Sequence, residues 1–290
     1  MTGLTGEPRP LKVITVAYGT PELLERALAP MAGRLPVVVV DNSSQPAVRE
    51  VAERHAARYL DPGRNLGFGR AVNEALRDVL GGEPADVLLL NPDATLEVAG
   101  ARALQAYLHR SDHGDVAAVS ARLVGVDGAP QRELWPFPSP GRAWLEAIGL
   151  SRLNRAGDFA VAAVIMLRWE ALQEVGGFDE RFFLYAEETD WQRRAAELGW
   201  RSDVCREVVA IHVGAATSTR SDRREALFHS GTEIYVRKWF GSAGWSLYRA
   251  AAVAGAAGRG IVLTGARGAA ARRRALLYVR GPRRVAGAQP

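Results

Sequence analysis

Three carboxylates, Glu187, Glu188 and Asp190, stand within four positions directly after the aromatic run Phe182-Phe183-Leu184-Tyr185. Acids favour the first turn of a helix because they oppose its dipole, which accounts for one or two of them. The aromatic lead-in is additional: an apolar surround raises a carboxyl pKa and suits the group to accept a proton. A second candidate, Asp93, closes Asn91-Pro92-Asp93 after the apolar run Val87–Leu90. A carboxylate at a strand end is a place to hold a divalent cation. Oxygen ligands and retained water suit Mg2+ or Mn2+, which would neutralise a diphosphate. His212 follows Val208-Val209-Ala210-Ile211 and is able to complete such a site with Asp93. The alternatives are ordinary turn chemistry for Asn-Pro-Asp and a structural histidine.

Further polar groups sit where apolar runs stop. Asp41-Asn42-Ser43-Ser44 follows Val37–Val40. It reads either as a turn and helix cap, or as a carboxylate and amide that hydrogen-bond a base or ribose. Asn65-Leu66-Gly67-Phe68-Gly69, with Asn73 one turn later, offers glycines that let backbone approach a ligand, or a tight turn beside a surface asparagine. Tyr18-Gly19-Thr20-Pro21 follows the first apolar run. No Gly-x-Gly-x-x-Gly stands there, which disfavours a dinucleotide site, and no Walker A sequence occurs. No nucleophilic Ser or Cys is signalled.

The elements that must position these groups alternate in type. Apolar runs at 11–17, 36–40, 58–60 and 86–90 read as strands; the β-branched second one suggests burial on both faces. Helical spacing covers 20–31, 47–57, 68–80 and 97–109. This alternation implies right-handed βαβ units and a parallel sheet, whose ligands bind beyond the strands' carboxyl ends. After residue 110, strands are expected at 116–124, 159–167 and 202–212, with helices at 187–198 and 222–240. Trp135-Pro136-Phe137-Pro138-Ser139-Pro140 carries three prolines and is expected to be a mobile or ligand-covering loop.

In this order the motifs resemble the inverting nucleotide-sugar glycosyltransferases of family 2. More narrowly, they resemble the rhamnosyltransferase branch that acts on lipid-linked acceptors. The matching residues are Thr15-Val16-Ala17-Tyr18, Val39-Val40-Asp41-Asn42-Ser43-Ser44, Asn65–Phe68 with Asn73, Leu89–Asp93, Gly176–Asp179, Phe183–Asp190, Ile211-His212 and Tyr235-x-x-Lys238. The resemblance implies an α/β, type A glycosyltransferase fold: a Rossmann-like, mostly parallel sheet flanked by helices. Residues 1–240 would be catalytic, with 1–110 binding the nucleotide-sugar and 111–240 the acceptor. It implies that Asp41 contacts a uracil or thymine base, with Tyr18, Asn42, Asn65, Gly67, Asn73 and Asn91 completing the donor site. Asp93, with His212 nearby, would hold Mg2+ or Mn2+. Glu188 would deprotonate the acceptor hydroxyl, with Asp190 beside it and inversion at the anomeric carbon. Glu187, Trp135 and Arg194 fall on the acceptor side. Asn91 replaces the usual first Asp of an Asp-x-Asp motif, Glu188 replaces the usual Asp and is one methylene longer, and Ala162-Ala163 replaces Gly-Ala.

The implied donor is a dTDP- or UDP-sugar, best matched by dTDP-rhamnose. The implied acceptor is a polyprenyl-diphosphate-linked saccharide in cell-wall or surface-polysaccharide assembly. A nucleotidyltransferase of related fold would need a Gly-rich, basic loop after the first strand, which is absent. A non-catalytic nucleotide-sugar-binding module is the other alternative.

Composition bounds these readings. The chain has 290 residues, 48% of them hydrophobic, enough for a real core and against long disorder. Its one cysteine, Cys205, excludes an intramolecular disulfide and a multi-cysteine metal site. Met1–Pro10 is polar and does not read as a secretory signal, and no apolar stretch is long enough to span a bilayer. The net charge of +5 is uneven: nine Arg and no acid lie in residues 241–290, leaving −4 for residues 1–240. Gly241–Gly265 is apolar apart from Arg249 and Arg259, with Trp245, Leu247, Tyr248 and Val253 as bulk; Arg267–Arg284 is a basic cluster. This amphipathic basic C-terminal tail reads as a packed helix or as a peripheral anchor on an anionic membrane surface. Charge alone also permits nucleic acid, but no recognition motif accompanies it, so no nucleic-acid partner is expected. The corresponding location is cytoplasmic, peripheral on the inner face of the cell membrane.

Overall fold

The computed structural model describes residues 9–153, 157–214 and 221–287. The polar start at Met1–Glu7 lies outside them, as do residues 154–156 of the expected acceptor region and the last three of the tail. The chain forms two compact units, one of residues 1–135, 158–180 and 188–217, the other of residues 136–157, 181–187 and 218–290.

The first unit is built on strands β1 (Leu11–Ala17), β2 (Val37–Asp41), β3 (Arg58–Leu60), β4 (Asp86–Leu90), β5 (Ala94–Thr95), β6 (Val116–Val124), β7 (Leu134–Trp135), β8 (Phe159–Ala160), β9 (Val164–Leu167) and β10 (Arg201–His212). Eight form one sheet in the order β3-β2-β1-β4-β9-β6-β10-β5. The pairs β1–β2, β2–β3, β1–β4 and β6–β10 are parallel, whereas β9 runs against both its neighbours and β5 against β10.

Helices α1 (Pro21–Leu28), α2 (Pro46–Arg54), α3 (Phe68–Leu80), α4 (Val98–Leu108), α6 (Trp169–Val175) and α7 (Glu187–Glu197) accompany the sheet; α5 (Pro140–Ala147) lies between β7 and β8 in the chain. Alternate strand residues divide between two cores. Val13, Val39 and Leu88 join Leu24, Leu28 and Val51 on one face; Ile14, Val40 and Leu89 join Val72, Leu76 and Trp191 on the other. Burial on both faces is why these strands read as unbroken apolar runs. At the start of β4, buried Asp86 accepts hydrogen bonds from Gln105 Nε2 (3.1 Å) and Trp169 N (3.1 Å), and its Oδ2 lies 2.7 Å from His109 Nε2. Those partners hold its carboxyl below the usual range despite burial.

One expectation is corrected here and another is narrowed. The run 159–167 is not one strand. The amide of Gln192 bonds Ala160 N (2.7 Å) and Ala160 O (2.8 Å), so β8 leaves the main sheet and pairs with β7 instead. The proline-rich segment 135–140 is a loop over 136–139 alone, since Trp135 ends β7 and Pro140 begins α5. Ser139 Oγ accepts from Arg142 N (3.3 Å), Pro140 opens α5, and Phe137 is buried. Proline at a first helical position starts a helix, because its missing N–H is not needed there.

The second unit contains α5, α8 (Ser221–Val262), α9 (Gly265–Arg280) and α10 (Pro282–Gly287). Helix α8 kinks at Gly241, whose φ of 67° interrupts the helical backbone. The C-terminal tail packs. Arg249 donates to Tyr278 O (2.7 Å) and Val279 O (2.6 Å), and Arg274 Nε donates to Glu225 Oε1 (2.9 Å). His229 and Arg274 hold the Glu225 carboxyl down at about 2. Trp245, Tyr248 and Tyr278 cluster, and Trp245 is 3% exposed. No helix of the described residues is long and apolar enough to cross a membrane.

Candidate active site

The parallel strands end at one edge of the sheet, where most of the candidate residues gather. The β5–β10 pairing sets His212 opposite Ala94, and Val213 N donates to Asp93 O (2.9 Å). His212 Nε2 thereby lies 3.5 Å from Asp93 Oδ1, and Asp93 is buried. Gln131, unmarked in the sequence, fixes the ring. Its amide nitrogen donates to His212 O (2.8 Å), and its carbonyl oxygen lies 2.8 Å from His212 Nδ1. The Gln131 carbonyl oxygen accepts from Nδ1, which turns Nε2 toward Asp93.

A carboxylate oxygen and an imidazole nitrogen this close would suit one divalent cation. The described residues hold no cluster of three or more His, Cys, Asp or Glu that could ligate a metal. The other ligands of such an ion would come from substrate oxygens and water. Asn91 is half-buried at the turn that delivers Asp93, where Ala94 N donates to Asn91 O (3.0 Å).

Asp41 ends β2 fully buried. Its Oδ1 accepts from Ser43 N (2.8 Å) and Ser43 Oγ (2.5 Å), its Oδ2 from Gln45 N (3.0 Å) and Tyr59 hydroxyl (2.8 Å). The chain's own donors occupy all its lone-pair positions and fix loop 41–45. Burial, followed by the bond to Asp41, pushes the Tyr59 phenol up to about 12. Gly19 N donates to Ser43 Oγ (3.1 Å), tying in the turn that presents the exposed Tyr18.

The expected donor-site asparagines take up backbone. Asn42 Nδ2 donates to Gly67 O (3.0 Å), and its Oδ1 accepts from Leu66 N (3.2 Å). Asn65 Oδ1 accepts from Gly67 N (2.9 Å) within the same turn. Asn73 is half-buried, and its amide bonds Phe178 O (2.8 Å) and Phe178 N (2.8 Å), clamping Gly176–Asp179. A Cβ on Gly177 would stand 2.7 Å from Asn73 Oδ1. Gly177→Ala is therefore expected to lower stability by about 1–3 kcal/mol, read as a fall in melting temperature.

The same turn is held from α7. Trp191 Nε1 donates to Gly176 O (2.8 Å), and Arg194 donates to Val175 O (2.6 Å) and Gly177 O (2.7 Å). Arg194 Nε also donates to Asp190 Oδ2 (3.1 Å), and Asp190 is fully buried. Arg194, expected on the acceptor side, is thus a backbone tether, and Asp190 orients it. Glu187 is buried and Glu188 half-buried at the helix start. Directly before them Tyr185 and Ala186 have φ of 70° and 71°. Two consecutive non-glycine residues in the left-handed region store strain of about 1–3 kcal/mol each, as occurs where side chains are aimed for function. Trp135 is exposed on β7, with the Arg132 guanidinium 4.0 Å from its ring centroid.

The model of the family described as "Glycosyl transferase family 2" matches residues 12–174. An N-acetylglucosaminyl-diphospho-decaprenol L-rhamnosyltransferase of Mycobacterium tuberculosis is 30% identical over 258 residues, covering 78% of this chain and 83% of its own. The low-salt glycan biosynthesis hexosyltransferase Agl10 of Haloferax volcanii is 28% identical over 236 residues, with 78% and 72% covered. Among solved structures, S. aureus TarS 1–349 aligns with a TM-score of 0.52 at 15% identity, over 95% of this chain and 90% of that one. Glucosyl-3-phosphoglycerate synthase of M. tuberculosis, in complex with Mn2+, UDP and phosphoglyceric acid, aligns with a TM-score of 0.55 at 15% identity, over 79% and 78%.

Proposed function

The chain belongs to glycosyl transferase family 2 and has the type A glycosyltransferase fold, and from that premise we propose that it moves rhamnose from dTDP-rhamnose to a hydroxyl of a polyprenyl-diphosphate-linked saccharide in surface-polysaccharide or cell-wall assembly. That it is a glycosyltransferase follows from the family. The sugar and acceptor rest on the likeness to the mycobacterial rhamnosyltransferase. The observation that carries the site reading is the Asp93–His212 pair, 3.5 Å apart with its ring fixed by Gln131, at the carboxyl edge of the sheet.

Asp93 and His212 would hold Mg2+ or Mn2+, whose charge stabilises the departing nucleoside diphosphate. Asp41 shapes the donor pocket through the loop it fixes, and Tyr18 offers an exposed ring beside it. Glu188 takes the proton of the acceptor hydroxyl as its oxygen bonds the anomeric carbon. The bond from that carbon to the diphosphate oxygen breaks on the opposite face, so the configuration inverts. Glu187 and Trp135 line the acceptor side. Asp190 and Arg194 position the helix that carries Glu188. The basic face of the C-terminal tail holds the protein on the anionic cytoplasmic leaflet, where a lipid-linked acceptor resides.

Melting curves with UDP- and dTDP-sugars, with and without Mn2+, test this cheaply. A donor at about 100 times its Kd stabilises by about 2.7 kcal/mol, a rise of several degrees. dTDP-rhamnose with Mn2+ is expected to give the largest rise. No rise with any nucleotide-sugar would remove the donor assignment.

A further inference from the structure

The tail's most exposed apolar side chains are not beside its aromatic cluster. Trp245 is buried in the cluster with Tyr248 and Tyr278. Leu247 and Val279 are exposed by about half, but the two most exposed stand at the turn from α8 into α9: Ile261 is 85% exposed and Val262 79%, followed by Leu263 at 37%. The turn is built rather than frayed. Leu263 N donates to Arg259 O (2.8 Å), Arg272 Nη1 donates to Gly260 O (2.7 Å), and Gly268 N bonds Thr264 O (3.4 Å). Such a turn holds Ile261 and Val262 out into water with Leu263 partly covered beside them, a cost that burial elsewhere would recover.

The surrounding charge selects the occupant. Arg267 is exposed just past the turn. On α9, Arg273, Leu276 and Arg280 are all exposed, and their i, i+3, i+7 spacing puts them on one face. Arg267, Arg273 and Arg280 make no ion pair among the described residues, and no acid follows Glu233 in the sequence. Apolar side chains beside unpaired arginines match an anionic bilayer, with the apolar groups below the headgroups and the cations among them.

We propose that Ile261-Val262-Leu263 is a wedge that enters the headgroup region of an anionic membrane, with the Arg273–Leu276–Arg280 face of α9 lying along it. The wedge rests on the membrane-anchor reading given above and locates it. The test uses the full chain and vesicles of phosphatidylglycerol or of phosphatidylcholine alone. Wild-type protein is expected to float with the first and not the second. I261S/V262S is expected to cut partitioning about tenfold or more at an unchanged melting temperature, since both side chains are exposed. R273Q/R280Q is expected to remove most of the salt-sensitive part of binding. V262C carrying an environment-sensitive dye is expected to shift to the blue on phosphatidylglycerol vesicles; Cys205 is buried, so labelling is selective. If I261S/V262S floats like the wild type, or the dye stays in water while the protein floats, the wedge is overturned and the anchor stands. If wild-type protein does not float, both fall. Equal flotation with phosphatidylcholine overturns the role given to charge.

Discussion

Glu188→Gln is expected to lower sugar transfer by about 10²–10⁴-fold while leaving the affinity for the nucleotide-sugar unchanged. The amide keeps the size and shape of the carboxylate but accepts no proton, so the loss falls on the chemical step. Turnover with a polyprenyl-diphosphate-linked GlcNAc acceptor, beside calorimetric donor binding, separates the two effects. Asp190 stands two residues away but differs in setting. It is fully buried and accepts from Arg194, which in turn holds Val175 O and Gly177 O. Asp190→Asn is therefore expected to act through the fold, lowering the melting temperature and loosening the Gly176–Asp179 turn. A folded D190N without turnover beside an active E188Q would reverse the two roles.

The contrast between these two carboxylates shows what sequence reading reaches and where it stops. Helix α3 and strand β4 occur where their spacing and apolar runs place them, because both depend on local pattern and on burial between two layers. The start of α7 is equally legible, since three acids mark a helix N-terminus whatever surrounds it. What each acid is set against is not local information. Asp190 is set apart by Arg194, and Arg194 by carbonyls 17 and 19 residues earlier. Nor does the sequence show that Asn73 bonds the backbone of Phe178, 105 positions later, through both ends of its amide. The break between β8 and β9 depends on Gln192, and α5 on reading Pro140 as a helix start rather than a breaker. Long-range side-chain to backbone bonds make each of these differences, and no periodicity encodes them.

Asp93→Asn is expected to cost about 10²–10³-fold in turnover and to abolish the additional stabilisation that Mn2+ gives to bound nucleotide, with the apo melting temperature near that of the wild type. The amide keeps the volume of a buried side chain and removes the charge that faces His212. Gln131 supplies the matching control. Both its side-chain bonds go to His212, and they set which ring nitrogen faces Asp93. Gln131→Leu, which removes both hydrogen bonds, is expected to raise the Mn2+ concentration for half-maximal activity by about 10–100-fold, with little change in turnover at saturating metal. Direct Mn2+ titration in the presence of nucleoside diphosphate measures this without turnover. An Asp93→Asn protein that binds Mn2+ as the wild type does would remove the metal from Asp93. A Gln131→Leu protein with wild-type metal affinity would leave Asp93 its role and deny Gln131 any part in orienting His212.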